Sequence, residues 1–341
     1  MNVLDWLLEP DAPGVAYLAR RQLLAEDPAS RKMRSLRKRC NEYAPVAKML
    51  ARVEDSLHKR NYAKYTGASW TLIFLAEMYA DGRSKRVRRL AEHVLDTQLP
   101  NGGFSVSDER RYEIVCLTAN VLRSLVHFGY SNDDRVVRGY ERLIERILLH
   151  GGVPCVVLDQ LLHTSCKMTL PQTLRCFTVT PERLPKRKAQ KVRDLLVNQL
   201  LAVRVYKYVR PDAKSFCAAV GLRPKGMKVR ELKANWLSQH PIEDRDLLPK
   251  PGWLRFGFPR NYNPDLLEAM LALAEADVAL SPVLEDALDH IERKRLGSGR
   301  WTLEASLNGK MLADVETKGQ PSKWLTLRAL IVLQHFGRVE V

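Results

Sequence analysis

The chain has 341 residues, 45% of them hydrophobic, with 55 Lys and Arg against 39 Asp and Glu and a formal charge of +16. Its apolar runs are short and broken by charge, none near the ~20 residues of a membrane helix, and the acidic first turns of Met1–Glu9 lack a secretory leader's basic start, so a cytoplasmic protein is expected. Six thinly spread cysteines without a Cys-x-x-Cys pair exclude a disulfide framework and predict buried thiols.

Residues 1–60 read as a helical cap: Val3–Leu8, Gly14–Leu24, a basic segment Arg31–Arg39 and Ala44–Leu57. From residue 61 the chain alternates helices and glycine turns in one repetitive domain. Ser69–Tyr79 carries Trp70, Ile73, Phe74 and Glu77 at helical period, and Ser84–Leu99 carries Val87, Leu90, Ala91, Val94 and Leu95 on one face. Gln98-Leu-Pro-Asn-Gly-Gly-Phe104 then stops the helix and turns the chain. Arg111–Phe128 and Ser131–Leu149 form the next pair, with Ser131-Asn-Asp-Asp134 reading as a capping box. Cys155–Leu162 and Ser165–Phe177 are predicted as shorter helices. Thr180-Pro181-Glu182 is predicted to start the helix that carries Val192, Leu196 and Leu200.

Residues 208–260 interrupt the rhythm with Arg210-Pro-Asp, Arg223-Pro-Lys-Gly and Leu248-Pro-Lys-Pro-Gly252, a basic, loop-rich insertion with one helix near Lys228–Ser238. Leu266–Ala276, Val283–Arg293 and Pro321–Phe336 complete the helices, and a second glycine turn, Gly297-Ser-Gly-Arg-Trp301, followed by a short extended piece, precedes the last of them. About a dozen helices without strand alternation make an all-α chain of paired helices, which runs as an open superhelix or closes into a ring.

The pattern of Gln98–Phe104, echoed with arginine in Arg295–Trp301, resembles the repeat motif of the terpenoid cyclase and protein prenyltransferase superfamily. Cys116-Leu-Thr-Ala-Asn120, Asp133-Asp-Arg-Val136, Gly257-Phe-Pro259 and Gly319-Gln-Pro-Ser-Lys-Trp324 are similar to a prenyltransferase-like, squalene-cyclase-like branch without an assigned reaction. The resemblance spans roughly residues 1–338. It implies an α/α toroid, a closed ring of inner and outer helices at 61–341 behind the 1–60 cap, and a hydrophobic ligand, such as an isoprenoid diphosphate, in a central cavity. Three catalytic motifs of the superfamily are missing from the sequence: Asp-x-Asp-Asp for protonation, Asp-Asp-x-x-Asp for magnesium and diphosphate, and Asp-x-Cys for zinc. Whether the chain is an enzyme stays open on this reading.

Three constellations are candidates for chemistry. Cys116, Cys155 and Cys166 with His163 have soft ligands suited to zinc or an iron–sulfur cluster, although their spacing matches no zinc pattern and buried structural thiols are the plainer account of them. Between Arg183 and Lys233, 15 Lys and Arg stand against three acids. There Arg204, Lys207 and Arg210 are candidates to grip a diphosphate, or to bind nucleic acid or an acidic protein partner in a non-enzymatic repeat scaffold. Aromatic residues Trp70, Phe74, Trp253, Phe256, Phe258, Tyr262, Trp301 and Trp324 fill a core or line a cavity, with the Trp253–Tyr262 loop the strongest ligand-binding candidate.

Overall fold

The computed structural model describes residues 2–106, 113–154, 166, 168–209, 247–260 and 263–340. Among these, fourteen α-helices and four very short strands form a predominantly helical chain. The N-terminal helices are α1 (Val3–Leu7), α2 (Pro13–Gln22), α3 (Arg31–Arg39), α4 (Ala44–Ala51) and α5 (Val53–Leu57). Then follow α6 (Ala68–Glu77), α7 (Lys85–Leu95), α8 (Val115–His127), α9 (Asp134–His150), α10 (Leu170–Phe177) and α11 (Lys186–Leu201). The last three are α12 (Leu266–Glu275), α13 (Glu285–Arg293) and α14 (Lys323–His335).

Composition sorts these helices into two layers. In α6 every residue but Ala76 is buried, and all of α10 is; α12 and α14 are nearly as enclosed. A helix that is apolar or small on all sides must be covered on all sides. By contrast α7, α9, α11 and α13 each bury one stripe, such as Val87, Leu90, Ala91, Val94 and Leu95 in α7, and expose charge elsewhere. The enclosed helices pack in series, α6 on α8, α8 on α10, α10 on α12 and α12 on α14. Each amphipathic helix lies against the enclosed helix that precedes it. The N-terminal segment joins the same core: α1 and α2 pack on α14, and Leu7, Val15, Val46 and Met49 belong to one apolar cluster with Leu330 and Phe336.

Two glycine turns share one set of bonds. In the first, Leu99 N donates to Gly103 O (2.9 Å), Gly102 N to Leu99 O (2.9 Å) and Phe104 N to Thr118 Oγ1 (2.9 Å). In the second, Leu296 N donates to Arg300 O (2.8 Å), Gly299 N to Leu296 O (2.8 Å) and Trp301 N to Thr326 Oγ1 (3.0 Å). Gly102 and Gly299 both have left-handed φ, +93° and +78°, which side chains adopt only with strain. The aromatic residue after each turn is fully buried.

Several boundaries differ from expectation. The stretch 44–57 is two helices, broken at Arg52, whose guanidinium donates to Leu312 O (2.9 Å) across the fold. The helix expected from Pro181 starts at Lys186, because the ring of Pro185 clashes with a carbonyl four residues earlier and cannot sit inside a helix. Asp133, not Ser131, caps α9 and accepts from Arg135 N (2.8 Å). Two antiparallel ribbons also appear: β1 (Lys207–Val209) pairs with β2 (Leu247–Pro249), and the extended piece expected at Trp301 is β3 (Trp301–Thr302), paired with β4 (Pro321–Ser322), where the last helix was expected to start. Each is too short to show an alternating pattern. The expected helices Cys155–Leu162 and Lys228–Ser238 lie outside the described residues.

Candidate functional site

The enclosed helices carry six charged residues that meet one another. Glu77 ends α6, Arg123 lies on α8, Arg175 on α10, Glu268 and Glu275 on α12, and Arg328 on α14. Glu77 accepts from Arg123 and Arg328 and lies 3.4 Å from Arg175 Nη1. Arg175 forks onto Glu275, with Nε to Oε2 at 2.9 Å and Nη2 to Oε1 at 3.0 Å, and its Nη1 lies 3.4 Å from Glu268 Oε1. Glu268 and Glu275 are seven residues apart, two helical turns on one face, so a single guanidinium spans both.

The three carboxyls do not behave alike. Burial pushes Glu77 up, but Arg123, Arg175 and Arg328 outweigh it and hold the group well below the usual carboxylate range. Glu275 is lowered in the same way, burial being outweighed by Arg175. Glu268 goes in the other direction: burial raises it to about 7, with Arg175 opposing and Glu77 reinforcing. Its Oε2 is buried and has no hydrogen-bond partner among the described residues. A buried carboxyl near neutrality with one oxygen unengaged is the arrangement expected of a proton donor or acceptor.

Aromatic rings adjoin this network. Arg328 lies 4.7 Å over the ring of Phe258, and Phe258 stacks on Trp324 at 4.6 Å and 7°. A second group on and before α6 joins Tyr62, Tyr65, Trp70 and Phe74 at centroid distances of 5.3 to 6.4 Å. The loop before Phe258 is held by Asp265, which caps α12 and accepts from Gly257 N (2.8 Å).

The candidates named from sequence are spread over other places. Lys207 pairs with Asp286 (2.8 Å), which also accepts from Tyr206 (2.7 Å), so its charge is spent tying β1 to α13. Arg204 is the third residue after α11 and has φ +45°. Trp253 is buried with its indole N–H 3.4 Å from Met168 Sδ, and Lys250 lies 5.6 Å over its ring. Phe256 is buried between His290 and Lys294. Arg210 and Tyr262 lie outside the described residues.

Of the cysteine set, Cys155 and His163 are also outside them. Cys166 N donates to Val153 O (2.9 Å) as Ile114 N does to Phe104 O, and Cys116 follows Ile114 by two residues. The two cysteines therefore stand at corresponding ends of the neighbouring helices α8 and α10. Among the described residues no group of three His, Cys, Asp or Glu is placed to hold a metal ion. Cys40 and Cys176 are buried thiols, pushed up to about 11 and 12 by burial.

Sequence reasoning named Glu77 only as a periodic helix residue and missed the other five charges. A trace was present: a lone charge inside an otherwise enclosed helix, as in Arg175 within Leu170–Phe177. Compared with known proteins, the chain matches no family model and no curated protein.

Proposed function

We propose that the chain is a closed α/α toroid of the terpenoid cyclase and prenyltransferase kind, binding a hydrophobic small molecule at its centre. An isoprenoid diphosphate is the ligand class that the resemblance implies, and no particular reaction is assigned. Closure is supported by the pairing of the last enclosed helix with the first through Arg328 and Glu77, while α8, α10 and α12 link them in series. One observation carries the functional reading: the Glu268 carboxyl, raised to about 7 and half unengaged, in a charged cluster that reaches the Phe258–Trp324 stack through Arg328.

In this reading the aromatic rings contact the apolar body of the ligand and stabilise positive charge on it. Arg123, Arg175 and Arg328 supply fixed positive charge against an anionic end. Glu268, raised by burial, is the group that takes up or gives up a proton near neutrality. The missing Asp-x-Asp-Asp motif does not remove acid chemistry, because burial raises a carboxyl at a different position. Zinc or an iron–sulfur cluster on Cys116, Cys155, Cys166 and His163 belongs to the same proposal, since Cys116 and Cys166 stand at matching helix ends.

The test is calorimetric titration of the purified protein with farnesyl and geranylgeranyl diphosphate, alongside mass spectrometry of its organic extract and elemental analysis. Micromolar binding that is lost in Arg328→Met and kept in Glu268→Gln is expected. An empty extract together with no heat from either diphosphate would sink the reading.

A further inference from the structure

The charges gathered at the centre balance only when Glu268 is ionised. Arg123, Arg175 and Arg328 meet Glu77, Glu268 and Glu275. Asp265, which also acts on Glu268, is paired with Arg260 (3.1 Å), and His127, close to Glu77, is held uncharged by burial and by Arg37. While Glu268 keeps its proton, three guanidiniums therefore stand against two carboxylates, and one positive charge is left over inside the fold. A buried surplus charge is costly unless an opposite charge meets it.

Unused hydrogen-bonding groups lie beside that surplus. Arg328 donates to Glu77 through Nη2, its guanidinium makes no other hydrogen bond among the described residues, and it lies 4.7 Å over the ring of Phe258. Glu268 Oε2 is buried and unengaged among the same residues. The helices that carry the two, α12 and α14, pack on each other. No second surplus stands nearby: Lys323, the other buried cation besides Arg175 and Arg328 among the described residues, is held by Glu9 and Asp11. One turn nearer the helix starts, on the faces that carry Arg123 and Arg175, stand the buried carboxamides of Asn120 and Gln172 rather than further cations.

We propose that the ligand of the central site is an apolar monocarboxylate, a long-chain or isoprenoid carboxylic acid. Its carboxylate accepts from Arg328 and from the Glu268 hydroxyl, and its chain lies against Phe258 and Trp324. This rests on the reading of the centre as a ligand site and narrows that ligand to a single negative charge. A carboxylate suits the place because its two oxygens take two charge-assisted hydrogen bonds at once. A diphosphate brings more than one charge, of which one would be met and the rest buried unpaired. An alcohol leaves the surplus unmatched.

Calorimetric titration with farnesoic acid, dodecanoic acid, farnesol and farnesyl diphosphate, each from about pH 6.5 to about 8.5, tests it. At the lower pH one of the acids should bind at least ~10-fold more tightly than the alcohol and the diphosphate. Its affinity should fall ~10-fold per pH unit above about 7, because the carboxylate is bound together with the proton on Glu268. Glu268→Gln, which keeps a neutral hydrogen-bonding side chain, should hold the affinity level across the range. Farnesol or the diphosphate bound as tightly as the acids, a wild-type affinity that does not change with pH, or a fall that persists in Glu268→Gln would each overturn the proposal and leave a central ligand site standing. No binding by any of the four would remove both.

Discussion

The centre of the molecule and its glycine turns both tie helices together, by opposite means. At the centre, six charged side chains from five helices hold one another in a buried cluster. At the turns, uncharged groups make the links: backbone and one threonine hydroxyl in both, joined in the first by the Gln98 amide, which donates to Gly102 O and Arg135 O, and a buried aromatic ring closes each turn. Charged links respond to pH, and their strength depends on every member being present. Uncharged links do not titrate. The turns thus carry the repeat, while the centre carries the groups able to change state.

Arg175→Met leaves Glu77, Glu268 and Glu275 short of their shared partner, and a loss of about 3–5 kcal/mol is expected in urea unfolding at pH 7. A loss below about 1 kcal/mol would place the burden on the turns instead.

The second prediction is in the pH profile. Folded Glu268 holds its proton up to about 7, while its ordinary value is 4.5. The folded state therefore binds more protons than the unfolded one in that window, and stability falls as pH rises from about 4.5 to 7, by on the order of 3 kcal/mol from this group. Glu268→Gln should remove that fall. Glu77, held low, acts with the reverse sign, its contribution being lost as pH drops below 4.5. His127, pushed down to about 3 by burial and by Arg37, also loses stability on acidification, below 6.5. A Glu268→Gln profile that matches wild type would remove the raised carboxyl from the centre.

Smaller effects sharpen the likeness of the two turns. A Cβ on Gly102 would meet Arg138 O at 2.7 Å, whereas on Gly299 the nearest atom is 3.5 Å away. Gly102→Ala should cost about 2–3 kcal/mol and Gly299→Ala about 1, the second being backbone strain alone. Thr118→Val and Thr326→Val should cost about 1 kcal/mol each and equally, since each removes one hydrogen bond to the amide after the turn. Thermal unfolding of the four variants measures both comparisons.

The glycine turns were legible because their information is local. Gly102 and Gly299 need left-handed φ, and Phe104 and Trp301 need burial, whatever the rest of the chain does. The amphipathic outer helices were legible for the same reason, through their single apolar stripe. The enclosed helices were harder: Leu170–Phe177 has no polar face to mark its limits, and α10 begins five residues after the expected start. The gathering of Glu77, Arg123, Arg175, Glu268, Glu275 and Arg328 had no local signal, as they are separated by up to 251 residues.

Paired helices punctuated by glycine turns follow from residue order alone, because period, caps and left-handed glycines act within a few residues. Which charges meet at the centre follows from the packing of five helices. So does the raising of Glu268 where Glu77 is lowered, since burial and the number of nearby guanidiniums are properties of the packed helices rather than of either residue.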